Sequence, residues 1–141
     1  MSTNYQQACA IPYRMEDKAI YFCLITSRNH GDWIFPKGCI DGEETPQETA
    51  LKEANEEAGL EGEIVTDLGA FTYHKRGFDL LTSVQLMRVT HCKNTWLELD
   101  RKRCWVSSSK AQKRIERVEM QKALQKAIDW LSQQQTHNQN Q

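Results

Sequence analysis

An α/β (α+β) fold, with a mixed β-sheet held between two helices, is predicted by three features of this chain. Apolar stretches at 8–13, 19–25, 63–73 and 80–89 have the length and bounding turn residues of strands. The stretch 44–59 carries helix start and stop signals, and 109–131 repeats apolar residues at helical spacing. With 141 residues, the chain is large enough for one domain with a sizeable core and no staples. That domain is expected over 1–132, with 133–141 as a polar tail.

The elements follow in order. Ala8–Tyr13 and Ala19–Ile25 read as two strands around a polar turn at Arg14–Lys18. The second is apolar throughout, as expected for a strand covered on both faces. Ser27–Trp33, with Asn29 and Gly31, reads as a loop. Thr45 is a good N-cap, Pro46 suits the first helical position, and Glu48 completes a capping box. Gly59 supplies a left-handed residue to end that helix, and Ala50, Ala54 and Ala58 form a small-residue stripe for close packing on a sheet. Glu63–Tyr73 and Leu80–Val89 read as strands joined near Gly77, and Cys104–Val106 as a short strand. Ser109–Leu131 reads as one long helix, with Ala111, Ile115, Val118, Leu124, Ile128 and Leu131 on its apolar face. Gln133–Gln141 is low in complexity and is expected to be disordered.

The chemistry concentrates between Gly38 and Leu60. A glycine-containing loop leads into the first helix, which carries Glu53, Glu56 and Glu57 at i, i+3 and i+4, so their side chains are neighbours. No cation of the helix shares that face, since Lys52 points aside. Like charges so placed cost about 0.2–0.5 kcal/mol per pair. A hard cation removes the cost, and Mg²⁺ in particular accepts carboxylate oxygens, waters and substrate phosphates together. Set against this, an acidic helix face is usually only a solvated surface.

The longer spacing weighs against the solvated reading. Gly38, Glu44, Glu53, Glu56, Glu57, Gly59 and Leu60 fall without a gap on the pattern G-x5-E-x7-R-E-U-x-E-E-x-G-U, U being aliphatic, which resembles the box of the Nudix hydrolases. Lys52 stands at the arginine position and Ala54 at the first aliphatic one. The resemblance implies a Nudix-type α/β/α sandwich and a Mg²⁺- or Mn²⁺-dependent pyrophosphohydrolase. It also implies residue roles. Glu53 and Glu57 would be the main metal ligands, with Glu56 and the Gly38 carbonyl completing the set. Glu56 would be the favoured general base or water-orienting carboxylate, with Glu53 and the distant Glu98 as alternatives. Glu44 would orient Glu53, and Lys52 would keep a positive charge while losing the bidentate fork of arginine.

Outside the box, Lys37 directly precedes Gly38, Arg28 ends an apolar strand, and Arg101-Lys102-Arg103 precedes Cys104-Trp105. Each is commonly a solvated charge, yet near an acidic metal site such cations hold phosphates. Ser27-Arg28 before Trp33, Trp96-x-Glu98 and Arg101-Lys102-Arg103-x-Trp105 resemble the diphosphoinositol polyphosphate phosphohydrolase branch, whose members also hydrolyse diadenosine polyphosphates. That resemblance implies phosphate contacts at Arg28 and Arg101; Lys37 and Arg103 join them as substrate-binding candidates. Two departures stand out. Gln6 and Gln7 occupy a place where the branch is basic, and Pro36-Lys37-Gly38 enters the box in the manner of bacterial-type diadenosine tetraphosphate hydrolases. The expected substrates are therefore diadenosine polyphosphates, then diphosphoinositol polyphosphates, then ADP-ribose or nucleoside triphosphates. A Nudix ligand sensor without turnover is the alternative from another class, disfavoured because all four box glutamates are present.

Composition excludes other classes. A net charge of −1 offers no basic field for duplex nucleic acid. The five cysteines form no Cys-x-x-Cys pair and are odd in number, against a zinc site or disulfide framework. The four histidines share no ligand spacing, and no Gly-x-Ser-x-Gly nucleophile motif occurs. No signal sequence opens the chain, and the apolar run Ala19–Ile25 is too short to span a bilayer. The expectation is a cytoplasmic enzyme, monomer or homodimer, acting on a small-molecule polyphosphate.

Overall fold

A computed structural model describes residues 4–139. It contains strands β1 (Gln7–Glu16), β2 (Ala19–Thr26), β3 (Trp33–Ile34), β4 (Lys37–Cys39), β5 (Leu60–Lys75), β6 (Phe78–Cys92) and β7 (Arg103–Ser107), with helices α1 (Pro46–Ala58), α2 (Ser108–Arg114) and α3 (Val118–Gln139). The fold is the expected α+β arrangement of a mixed sheet with helices packed on it.

Among the described residues the strands form one sheet, in the path β3-β2-β1-β6-β5, with β7 on β2 and β4 on β1. Strand β1 is its hinge. It lies parallel to β6, while its other edge is divided between two antiparallel partners. The end of β1 pairs with β2 from Tyr13↔Phe22 to Glu16↔Ala19, and its start pairs with β4 through Gln7↔Cys39, Ala8↔Gly38 and Cys9↔Lys37. Between them the Ala10 N–H donates to the Pro36 carbonyl at 2.9 Å. This division brings Lys37 and Gly38 to the middle of the sheet. Consecutive residues of β1 from Gln7 to Tyr13 are all buried, as both faces are covered.

The two hairpins are tighter than the sequence signals suggested. β1 continues to Glu16, and Asp17 and Lys18 alone make the turn, with φ of 51° and 70°. Arg76 and Gly77, at 49° and 80°, make the turn between β5 and β6. Two consecutive left-handed residues match the right-handed twist of the flanking strands. Short strands β3 and β4 also emerge, between the end of the loop read over 27–33 and the first helix.

Helix α1 follows its signals closely. The Thr45 hydroxyl accepts from the Glu48 N–H at 3.1 Å, and the Glu48 carboxylate accepts from the Thr45 N–H at 2.9 Å. Gly59 closes the helix at φ 67°, donating to the Ala54 and Asn55 carbonyls. Ala50, Ala54 and Ala58 are fully buried, so the backbone of α1 approaches the sheet closely.

The long helix expected over Ser109–Leu131 is two helices. The chain breaks at 115–117, where Ile115 is extended (φ −78°, ψ 117°) and fully buried, and the Gln121 amide caps its carbonyl at 2.8 Å. No glycine or proline signals the break. It lets α2 pack beside β2 while Arg117 turns toward the loop after β2, forming a bidentate pair with Asp32 at 2.9 and 3.2 Å. Nor does α3 stop at residue 132: it runs to Gln139, with the Gln135 amide donating to the Lys18 carbonyl at 3.2 Å, so the expected disordered tail is helical over 133–139. Residues 140–141 lie outside the described residues.

Replacing Thr45 by Ala removes one half of the reciprocal cap and should lower stability by about 1 kcal/mol, read as a shifted urea midpoint at unchanged m.

Candidate functional site

The site begins with a backbone that has no room for a side chain. A Cβ built on Gly38 would lie 2.3 Å from both Cδ and Oε1 of Glu53. The β4–β1 pairing fixes Gly38 in the sheet, and the alanine stripe of α1 sets the helix against it, so Glu53 closes directly over the glycine. One turn on, Glu57 is 4% exposed, and its Oε1 accepts a long hydrogen bond from the Lys37 N–H at 3.4 Å. Burial pushes both carboxyls above the ordinary carboxylate range; hydrogen bonding with Glu53 raises Glu57 further, and Arg101 pulls it back. Among the described residues no three acidic, His or Cys side chains converge as a closed metal cage. The donor set nonetheless fits a hard cation. Mg²⁺ is commonly held by one or two carboxylates together with waters and substrate phosphates rather than by an all-protein cage. Glu53, Glu57 and Glu56 on the same helix face are the carboxylates available, while Gly38, under Glu53, is paired with Ala8 in the β4–β1 ladder.

Lys52 turns away from this face, as expected. Its ammonium bonds Asp41 at 3.2 Å and Glu44 at 3.0 Å, and those bonds raise its pKa. Glu44 Oε1 also accepts from the Thr49 hydroxyl at 3.0 Å and the Asp41 N–H at 3.2 Å. Glu44 is thus tied to Lys52, Thr49 and the loop backbone, and its described contacts brace the loop entering α1 rather than orient Glu53.

Glu98 is brought to the site from a distance. Its N–H donates to the Glu56 carbonyl at 2.9 Å, and its own carbonyl accepts from Trp96 Nε1 at 3.0 Å and the Arg101 N–H at 3.0 Å. The Glu98 carboxylate takes Arg101 Nε at 2.8 Å and Arg28 Nη2 at 3.3 Å. Arg101 is the junction between acid and base: largely buried, it also donates to the Thr26 carbonyl at 3.0 Å and stands 3.8 Å from Glu57.

Beside the carboxylates lies a cavity of about 260 Å³ ringed by Arg28, Lys37, Lys75, Arg101 and Arg117, with His30 and Tyr73. Lys37 Nζ sits 3.9 Å over the Tyr73 ring. Three of the four expected substrate cations meet here, but Arg103 does not. Its Nη1 caps the Ala58 carbonyl at 2.7 Å and the Lys93 carbonyl at 2.8 Å, and its guanidinium stacks on Trp96. Arg103 therefore anchors the C-terminus of α1. Trp96 in turn packs on Gly59, and Trp105 packs under Arg14, so these tryptophans are structural. In the sequence His74-Lys75-Arg76 could line a substrate mouth, although a strand-end charge cluster is the commoner meaning of such a run; Lys75 does line this cavity. Arg117 was not singled out and has no local signal.

Two outcomes follow from this geometry. Gly38→Ala should abolish function while leaving the circular-dichroism spectrum native, because the added methyl displaces Glu53. In chelator, stability should decline with pH above the ordinary carboxylate range. The folded state there retains protons that the unfolded chain has released, so unfolding gains ground until the raised pKa is passed. Glu57→Gln should flatten that decline in a thermal melt series.

Comparison with known proteins agrees with the geometry. The chain is 28% identical over 138 residues to "Nudix hydrolase 4" of Arabidopsis thaliana, covering 89% of this chain and 67% of that protein. It is 31% identical over 103 residues to "Diphosphoinositol polyphosphate phosphohydrolase 2" of Mus musculus, covering 71% of this chain and 56% of the relative. The chain thus spans little more than half the length of the second. Among solved structures, a C. elegans Ap4A hydrolase in a binary complex superposes with TM-score 0.77 at 23% identity, covering 92% of this chain and 98% of that one, a likeness of fold. The model of the NUDIX domain matches residues 4–131, and the chain belongs to the Nudix hydrolase family.

Proposed function

We propose that this protein is a Mg²⁺-dependent pyrophosphohydrolase cleaving a phosphoanhydride bond in a polyphosphate with several adjacent phosphates, diadenosine polyphosphates first and diphosphoinositol polyphosphates second. The observation that carries the reading is the juxtaposition of the buried Glu57 and half-buried Glu53 with a cavity ringed by five cations. A single pyrophosphate does not need so many. ADP-ribose and nucleoside triphosphates rank third for that reason. The absence of basic residues at Gln6 and Gln7 favours a substrate carrying fewer phosphates than an inositol pyrophosphate. A reducing, cytoplasmic setting is proposed on the five free cysteines.

The divalent ion, when bound, would polarise the bridging phosphate and lower the pKa of an attacking water. Glu53, Glu57 and the Gly38 carbonyl would hold it, with Gly38 giving Glu53 its place. Glu56, on the same face of α1, would take the proton of the water; Glu98, already engaged by Arg101 and Arg28, is the second choice for that role. Arg28, Lys37 and Arg101 would orient the phosphates, and for Arg28 this means exchanging the Glu98 and Asp100 carboxylates for phosphate oxygens. A non-catalytic sensor would bind the same ligands without turnover.

Activity should vanish in chelator and return with Mg²⁺ or Mn²⁺; robust turnover in chelator contradicts the metal mechanism. Glu56→Gln and Glu57→Gln should each lower kcat by about 10²-fold or more, while the metal-free melting temperature holds or rises. Near-normal rates in both would place the chemistry elsewhere. In a panel of diadenosine tetraphosphate, an inositol pyrophosphate, ADP-ribose and ATP, Arg101→Ala should raise KM most for the polyphosphates.

A further inference from the structure

One oxygen of Glu98 holds two of the cations that ring the cavity beside the carboxylates. Its Oε1 accepts from Arg101 Nε at 2.8 Å and pairs with Arg28 Nη2 at 3.3 Å. A single anionic oxygen between two guanidinium groups is the contact that a phosphate oxygen makes in an arginine clamp. The rest of the network does not depend on that carboxylate. Arg101 keeps its place through Nη1, which donates to the Thr26 carbonyl at 3.0 Å, and through its N–H, which donates to the Glu98 carbonyl at 3.0 Å. The main chain at Glu98 is pinned as well, by its N–H on the Glu56 carbonyl at 2.9 Å and by Trp96 Nε1 on its carbonyl. The carboxylate can therefore leave the arginines by side-chain rotation alone. Apolar packing does little to hold it: Leu97 and Leu99, on either side, are 77% and 54% exposed, so the order of this segment rests on its polar bonds.

We propose that Glu98 is an internal competitor for the substrate's phosphates, occupying the Arg28–Arg101 clamp until a chain of phosphates displaces it. The inference rests on the reading of Arg28 and Arg101 as phosphate contacts, and adds a positioning residue that acts through them to set which anions bind. Charge decides the exchange. Orthophosphate or a nucleoside monophosphate replaces one anionic group by another at the clamp, with little net gain. A polyphosphate has further oxygens for Lys37, Lys75 and Arg117, which ring the same cavity, and these contacts offset the lost Glu98 pairs. Every ligand that needs both arginines has its affinity lowered by the fraction of molecules in which the clamp is free. Short anions then fall below useful affinity while long ones stay bound. Discrimination thus comes from a built-in competitor as well as from attraction. Asp100 has a lesser part, since it meets Arg28 at 3.3 Å with a side chain 65% exposed.

Isothermal titration of inorganic tripolyphosphate into the metal-free protein tests this without turnover. Glu98→Gln removes the charge and keeps the shape; Glu98→Ala removes the competing oxygen altogether. In either variant Kd should fall about tenfold. With Arg28 already removed, as Arg28→Ala, the same substitutions should lower Kd by about threefold at most, because the competitor then blocks one cation instead of two. A merely structural role for Glu98 predicts the opposite sign, with weaker binding in its variants. Unchanged or weaker binding in both Glu98 variants overturns the proposal. So does a gain of undiminished size in the Arg28→Ala background, which would mark simple removal of a repelling charge. Absence of turnover with every polyphosphate in Mg²⁺ defeats the hydrolase reading alone, because the titration reads binding.

Discussion

Two carboxylates of one helix, Glu53 and Glu57, are pressed into the sheet where their charge is poorly solvated, and the site is organised around that constraint. Glu53 closes over a glycine that no other residue can replace without a collision. The closeness requires the alanine stripe of α1, the reciprocal cap that fixes where the helix begins, and the division of β1 between two partners. The constraint is costly when the carboxyls are charged, as their raised pKa values indicate. A divalent cation bound there would offset that cost.

Charge of the opposite sign is kept close but apart. The cations around the neighbouring cavity come from the loop after β2, from β4, from β5, from the segment before β7 and from the break before α3. Among the described residues Arg101 is the cation whose side chain reaches both Glu98 and Glu57. Four of the five cations have protein partners among the described contacts: Arg28 and Arg101 share Glu98, Arg117 holds Asp32, and Lys37 lies on Tyr73. Burial opposes the ionised Asp32, but hydrogen bonds from Arg117 and Ser27 hold its carboxyl below the usual range. The arginine-rich rim is therefore braced by the protein's own carboxylates and ring faces, which limits its side-chain freedom.

What the sequence revealed was local, and what it concealed was tertiary. The α1 signals, the box spacing and the strands of the meander are set by neighbours in the chain, and they appear where expected. The break at 115–117 has no local cause, because both halves carry good helical spacing; the buried Ile115 and the Arg117–Asp32 pair impose it. The same applies to 133–139, polar in composition yet continuous with α3. Arg103 was misplaced for a related reason. In a run of three cations the sequence cannot say which one turns inward, and the strand alternation of β7 directs Arg103 to the end of α1. Lys75 and Arg117 join the cationic cavity only because a hairpin and a helix break carry them there.

The most direct test of the carboxylate account is a titration of Mn²⁺ into the isotopically labelled protein, followed by amide NMR. The account predicts that the signals of Gly38, Glu53 and Glu57 broaden first, and that Glu57→Gln requires much more metal for the same effect. Broadening that begins at other acidic positions, such as Glu119 or Asp129, and is unaffected by Glu57→Gln would contradict it.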